Sequence, residues 1–313
     1  MTPLSQMSNG YSIEWKVPSV FEGKLLREFL IDRRISKRTL TSVKFDGGMI
    51  TVNGNEVNVR HTLKAGDDVK LTFPPEHSSV KLIPEEVPLD IVYEDGDVLV
   101  VNKPSGMSSI PSKEHTSGTL ANAIAGYYRA NDLSYAVHIV TRLDRDTSGL
   151  VLIAKHRHVH HLFSIQQQNR EISREYEALA EGVMNEVEGL IDQPIGRKET
   201  SIIEREVRAD GQSAKTRFVV MDQYPHAARL TVRPLTGRTH QIRVHMASIG
   251  HPLLGDDLYG GKTNLMNRQA LHCRSLSFFH PLTHEWVNVE AQVAEDMNAA
   301  MRQLDKQRRD PSR

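Results

Sequence analysis

The chain has 313 residues, 39 Lys and Arg against 39 Asp and Glu, and a single cysteine; its length leaves room for two domains, and the lone Cys273 excludes an internal disulfide framework and any multi-cysteine zinc or iron–sulfur site. No stretch approaches the ~18 consecutive apolar residues of a membrane span, and the N-terminus lacks the basic start and apolar run of a signal peptide, so a cytoplasmic protein with no membrane partner is expected. Zero net charge counts mildly against a nucleic-acid binder that works by bulk electrostatics, although it does not say where the charges sit.

Residues 1–20 are read as an N-terminal extension and residues 21–73 as a compact α+β unit. Leu25, Leu26, Phe29 and Leu30 recur at helical spacing within 24–35, which predicts a short amphipathic helix. Ser36 is placed to cap a second helix starting at Lys37-Arg38, with Gly47-Gly48 ending it. Residues 49–59 read as a hairpin: Ile50 and Val52 alternate with polar neighbours, Asn53-Gly54 is a tight-turn pair, and Val57 and Val59 resume the alternation. Ala65-Gly66-Asp67 turns the chain into a further strand ending at Phe73. The unit carries ten Lys or Arg against seven Asp or Glu, concentrated between Arg33 and Lys44. Such a cluster suits either a solvated helix face or a phosphate backbone. The succession Leu-Leu-x-x-Phe-Leu, Ser-Lys-Arg, Gly-Gly, Ile-x-Val-Asn-Gly and Ala-Gly-Asp resembles the S4 RNA-binding domain. That resemblance implies an accessory RNA-gripping module with Lys37 and Arg38 among its contacts.

Pro74 to Ser79 has linker composition, and residues 74–89 are taken as the connection to a second domain over 90–300. There, residues 98–101 and 150–154 read as buried strands, and 120–128 as a helix with Leu120, Ile124 and Tyr127 on one side. Residues 156–168 suit a helix, 175–180 and 229–233 strands, and 241–249 a helix that Thr239 could cap. Helices and strands are interspersed without a regular βα repeat, and no Gly-rich dinucleotide fingerprint follows a strand; the expected fold is α+β on a mainly antiparallel mixed sheet. Residues 301–313, polar and charged, are expected to be a fraying tail. The His-x-x-x-His spacing in 156–161 lacks a third ligand nearby, so these are expected to be surface histidines and no metal site is assigned.

Two polar clusters could carry chemistry. Thr141-Arg142-Leu143-Asp144-Arg145-Asp146-Thr147-Ser148-Gly149 lies at the mouth of a buried strand, where it could be a salt-bridged turn or a reactive loop. Thr236-Gly237-Arg238-Thr239-His240-Gln241-Ile242-Arg243-Val244-His245 ends a strand and enters a helix, and a helix start carrying extra cations invites an anion.

Residues 90 to about 290 resemble the RluA-type family of RNA pseudouridine synthases through motifs in the expected order. These are Tyr93-Glu94-Asp95-Gly96-Asp97 running to Asn102-Lys103-Pro104-Ser105-Gly106, then Arg142-Leu143-Asp144-x-x-Thr147-Ser148-Gly149, Arg174-Glu175-Tyr176-x-Ala178-Leu179, the 236–245 cluster, and Ala270-Leu271-His272 with Phe279-His280-Pro281. Thr141 departs from the pattern, since many relatives have histidine before Arg-Leu-Asp. The resemblance implies a pseudouridine synthase fold and isomerisation of uridine to pseudouridine in RNA, with no metal or organic cofactor. Asp144 would stand beside C1′ as nucleophile, base or charge stabiliser, roles that remain open. Arg243 would keep Asp144 ionised, and Tyr176 would stack on the uracil and could help move the C5 proton. Arg142 would fill the space of the flipped nucleotide or hold its phosphate, Arg238 and His240 would contact substrate, and Leu271 would pack behind the base.

Ribosomal RNA, most simply of the large subunit, is the expected substrate, with transfer RNA as the alternative and a monomer as the plain expectation. A non-catalytic RNA-binding or ribosome-assembly protein and an N-glycosidic hydrolase are competing readings; the second would require a water-activating carboxylate that the sequence does not obviously supply.

Overall fold

The computed structural model describes residues 11–76, 82–112 and 115–309. In the small unit, strands β1 (Ser12–Lys16), β2 (Met49–Val52), β3 (Asn55–Glu56) and β4 (Asp68–Thr72) form an antiparallel sheet of order β1-β4-β2-β3. Helices α1 (Leu26–Asp32) and α2 (Lys37–Phe45) pack Leu26, Phe29, Leu30 and Val43 into the same core as Ile50, Val52, Val69 and Leu71 of the sheet. Ser36 accepts a hydrogen bond from Thr39 N at 3.0 Å and so caps α2. Asn53 and Gly54 both have positive φ, 51° and 79°, as a two-residue hairpin turn requires.

Two expectations for this unit need correction. The chain pairs with β4 from Ser12 onward, so the unit starts before residue 21; residues 1–10 lie outside the described residues. A five-residue edge strand with only Ile13 and Trp15 directed toward the core offers too short an alternation to stand out. The second arm of the hairpin also stops at Glu56, and Val57 and Val59 reach the core from outside any strand.

The larger part is α+β on a mainly antiparallel mixed sheet of ten strands. Its strands β5 (Ile91–Glu94), β6 (Val98–Lys103), β7 (His138–Ile139), β8 (Ser148–Ala154), β9 (Ser173–Glu181) and β10 (Glu188–Asp192) are followed by a separate hairpin of β11 (Ile195–Arg197) and β12 (Arg205–Val207). Then come β13 (Lys215–Gln223), β14 (Ala227–Pro234), β15 (Leu271–Phe279) and β16 (Trp286–Glu290). The order is β10-β13-β14-β9-β15-β8-β6-β5, with β16 beside β15 and β7 beside β8. β8 is buried at every position, and an apolar run without alternation is what a strand covered on both faces requires. β15 and β8 pair in parallel at His272 and Cys273. There Gly149, at φ 114°, is indispensable: a Cβ would lie 2.3 Å from Cys273 O.

Helices α3 (Leu120–Ala130), α4 (Arg157–Asn169), α5 (Gln241–Ser248) and α6 (Glu295–Arg309) complete the domain. Thr119 and Asn122 form a capping box at the start of α3, which turns Leu120, Ile124 and Tyr128 into the core. Tyr127, on that side as expected, is half-buried against the same core and donates its hydroxyl to Glu94 at 2.8 Å. The expected tail beyond 301 belongs to α6: Met297, Ala300 and Leu304 are buried against Leu179, Tyr224, Leu254 and Met266, while Glu295 and Asp296 at its start and Lys306, Arg308 and Arg309 at its end suit the helix dipole. Residues 310–313 lie outside the described residues.

The small unit docks on histidines expected at the surface. His156 and His158 are buried; Tyr11 stacks on the first at a centroid distance of 3.5 Å and Phe73 on the second at 5.3 Å. Tyr11 also donates its hydroxyl to Asp97 at 2.9 Å. The linker is tied down on either side of residues 77–81, which lie outside the described residues: Glu76 contacts His138 Nε2 at 2.6 Å and accepts from Arg157 N at 2.7 Å, while Glu85 accepts from Gly118 N. Among the described residues no helix is long and apolar enough to cross a membrane.

Candidate active site

Asp144 sits in the loop from β7 to β8, and neighbours hold that loop's backbone from three directions. Ser109 Oγ accepts from Leu143 N at 3.0 Å and donates to Leu143 O at 2.8 Å. Lys103, at the end of β6, is almost fully buried and donates to the carbonyls of Pro104, Met107 and Arg145 at 2.9, 2.7 and 3.1 Å. Burial pulls its pKa down to about 7 against the charges of Asp146 and Asp144. Three acceptors match the three N–H bonds of the ammonium form. From the far side Arg268 donates to Asp146 O at 3.1 Å, and Gln269 donates to Thr147 Oγ1 at 3.1 Å. Thr141, where the resemblance expects histidine, is buried and accepts from Leu152 N at 2.9 Å. Its hydroxyl thus supports the base of the loop.

The opposing wall comes from the turn between β14 and α5. Gln241 is its keystone: its side-chain oxygen accepts from Arg238 N at 3.0 Å and Thr236 Oγ1 at 2.7 Å, and its nitrogen donates to Lys215 O and Thr216 Oγ1. His240 enters the helix in the left-handed region, at φ 56°, so the expected Thr239 cap does not form and Thr239 is exposed. Arg243, one turn into α5, is buried. Its Nε and Nη2 both reach Asp256 at 2.7 Å, while Nη1 lies 3.6 Å from Asp144 Oδ2. Burial works against this charge, but the hydrogen bonds and charge of Asp256 outweigh it and hold the guanidinium pKa above its ordinary value. The expected partnership of Arg243 with Asp144 is therefore its weaker one.

His240 stands beside it. Tyr259 OH accepts from Arg205 N at 2.9 Å and is hydrogen-bonded to His240 Nδ1 at 2.8 Å, which holds His240 Nε2 4.0 Å from Asp144 Oδ2. Burial holds the His240 pKa below the ordinary value although Asp144 pulls the other way, so the ring is neutral near pH 7. Arg243 also lies over the ring of Tyr259, 5.0 Å from its centroid.

Between the walls lies a cleft of about 510 Å³, within the range that holds small ligands. Arg142, Asp144, Tyr176, Arg238, His240, Arg243 and Leu271 all line it, together with Arg174, Thr236 and Gln241. Arg142 is exposed at the rim, whereas Tyr176 and Leu271 are buried in the floor. Burial pushes the Tyr176 phenol pKa up, so the ring presents a neutral hydroxyl rather than a phenolate base. Arg238 donates to Ser213 O and Gln212 Oε1, which fixes its guanidinium at the edge. Lys37 and Arg38 are exposed on α2 of the small unit and do not line the cleft.

Asp256, Tyr259, Lys103 and Ser109 escaped a functional assignment in the sequence. Asp256 belongs to a turn that folds back onto α5, and no local spacing ties it to Arg243. Another polar group, Asp95, Asp97 and His280, is the set of potential metal ligands among the described residues. His280 Nδ1 accepts from the amides of Leu282 and Thr283, so Nε2 carries the proton and faces Asp95 Oδ2 at 3.1 Å. That nitrogen has no lone pair to offer a metal in this state.

A carboxylate beside a guanidinium, in a cleft that also holds a buried aromatic ring, can stabilise positive charge developing on a sugar carbon while a planar base lies against the ring. Comparisons with known proteins bear on the family of the chain. Residues 97–248 match the family model described as RNA pseudouridylate synthase. The chain is 49% identical over 273 residues to the uncharacterized RNA pseudouridine synthase YjbO of Bacillus subtilis, covering 87% of this chain and 96% of that protein. It is 39% identical over 263 residues to ribosomal large subunit pseudouridine synthase D of Yersinia pestis, covering 79% and 80% of the two chains. The solved structure of human RNA pseudouridylate synthase domain containing 1 superposes with a TM-score of 0.57 at 25% identity, covering 75% of this chain and 98% of that one.

Proposed function

The chain belongs to the RNA pseudouridine synthase family, of the RluA type that its motifs resemble, and from that premise we propose that it isomerises specific uridines of large-subunit ribosomal RNA in the cytoplasm, as a monomer. The family reaction breaks the N1–C1′ bond, joins C5 to C1′, moves a proton from C5 and supplies one to N1. No atom is gained or lost overall. The observation that carries the assignment of roles is the placement of Asp144 Oδ2 between Arg243 Nη1 at 3.6 Å and His240 Nε2 at 4.0 Å in a cleft that also holds Tyr176.

In this reading the target uridine leaves its stack and enters the cleft, with Arg142 at the rim taking the vacated space or the phosphate. Tyr176 and Leu271 receive the uracil, and Asp144 meets C1′ as positive charge builds there. Arg243 sets its charge against Asp144, and Arg238 with His240 binds the flanking backbone. Lys37 and Arg38 on the S4-like unit grip RNA outside the cleft. Ribosomal RNA is favoured by the similarity to the ribosomal large subunit pseudouridine synthase D of Yersinia pestis. The test is to map pseudouridines in ribosomal and transfer RNA from cells with and without the protein. Loss at one or a few large-subunit positions is expected; loss confined to transfer RNA would replace the substrate, and no loss in any RNA would favour a binding protein without activity.

A further inference from the structure

We infer that Phe45, at the exposed end of α2, is a stacking platform for an unpaired RNA base held alongside the cations of that helix. The inference rests on the proposed RNA-gripping role of the S4-like unit and names what that unit grips.

Phe45 is 71% exposed, an unusual position for a phenylalanine. At 3.6 residues per turn, Lys37, Arg38, Thr41, Lys44 and Phe45 fall within an arc of about 120° on α2. All five are exposed, whereas Val43 on the other side is buried in the small unit's core. The stripe holds three cations and no acid. Lys44 Nζ lies over the Phe45 ring, 4.8 Å from its centroid, so the aromatic and cationic parts are contiguous.

A polyanion alone would need only the cations. An apolar protein partner would prefer a patch without lysines at its centre. A flat ring bordered by positive charge is complementary to a strand whose bases are free to stack while its phosphates lie along the helix. Duplex RNA cannot use the platform because its bases stack on one another. The occupant is therefore a single-stranded loop, bulge or end, contacted apart from the uridine in the cleft, because neither Phe45 nor its stripe lines that cleft.

The test uses the full chain, a single-stranded RNA oligonucleotide and a duplex of the same length. Phe45→Ala is expected to raise the Kd for the single strand roughly tenfold while leaving its salt dependence unchanged, because no phosphate contact is lost. Lys37→Ala or Arg38→Ala should weaken binding and lower the salt slope. Phe45→Trp should keep the affinity, and its fluorescence should be quenched by the single strand and not by the duplex, against the background of Trp15 and Trp286 in the unsubstituted chain. If the lysine or arginine variant weakens binding and Phe45→Ala does not, the stacking inference falls and the RNA-gripping role stands. If all three bind like the unsubstituted chain, both fall. Conversion of a dimer to a monomer by Phe45→Ala, with Kd unchanged, would reassign the patch to a second copy and overturn the inference.

Discussion

Arg243 commits Nε and Nη2 to Asp256 and leaves Nη1 for Asp144, so the orientation of the charge facing Asp144 is set by a residue outside the recognised motifs. Asp256 is fully buried, and losing one member of such a pair leaves the other charge uncompensated. Asp256→Asn is expected to lower stability by about 3–5 kcal/mol in denaturant titrations. With Arg243 free to turn, kcat should fall by on the order of 10²-fold with little change in KM. A loss of stability with kcat intact would confine Asp256 to packing. The motifs brought Asp144, Tyr176 and Arg243 to light because each is embedded in a run whose order is distinctive. Asp256 follows Leu254-Gly255, and an aspartate after glycine reads as turn chemistry until the fold brings it back to α5.

Helix α6 shows why part of the architecture was hidden. Its buried residues, Met297, Ala300 and Leu304, are three and four apart, but a window opened at Met301 admits only the last of them and meets mostly charge. Leu304→Ala should cost about 2–5 kcal/mol in a chemical unfolding titration. A change near zero would restore the fraying tail. β1 was missed for a related reason, since five residues at an edge carry too little pattern. The all-buried β8, in contrast, was plain from its unbroken apolar run. Docking of the small unit joins segments far apart in the chain, Tyr11, Phe73 and Glu76 on one side and His138, His156 and His158 on the other, which no local spacing connects. Replacing Tyr11 and Glu76 by alanine together should free the small unit. Solution scattering is expected to give a larger radius of gyration than for the unsubstituted chain, and identical curves would show that the stacked histidines do not hold it.

Over the whole molecule, equal numbers of cations and anions hide local imbalance: Lys37, Arg38 and Lys44 face solvent on α2 with no acid inside that helix, whereas the Asp144 loop balances Arg142 and Arg145 against Asp144 and Asp146. A basic face of that kind is compatible with an RNA substrate in a chain of zero net charge. Buried histidines give the protein a characteristic acid response. Burial pulls His158 and His272 from an ordinary pKa of 6.5 down to about 4. Between these values the unfolded chain binds protons that the folded chain refuses, so stability is full above pH 6.5, falls as pH drops toward about 4, and loses nothing more from these groups below that. Each contributes roughly 3 kcal/mol across the window. Unfolding titrations from about pH 7 to about pH 4.5 should show this slope, and His158→Phe should flatten its share. The central claim, that Asp144 carries the isomerisation, is tested most directly by incubating ribosomal RNA from cells lacking the protein with the unsubstituted chain and with Asp144→Asn, and quantifying pseudouridine. The unsubstituted chain should form it, and the variant should form none while keeping its fold and most of its RNA affinity; appreciable turnover by Asp144→Asn would contradict the account.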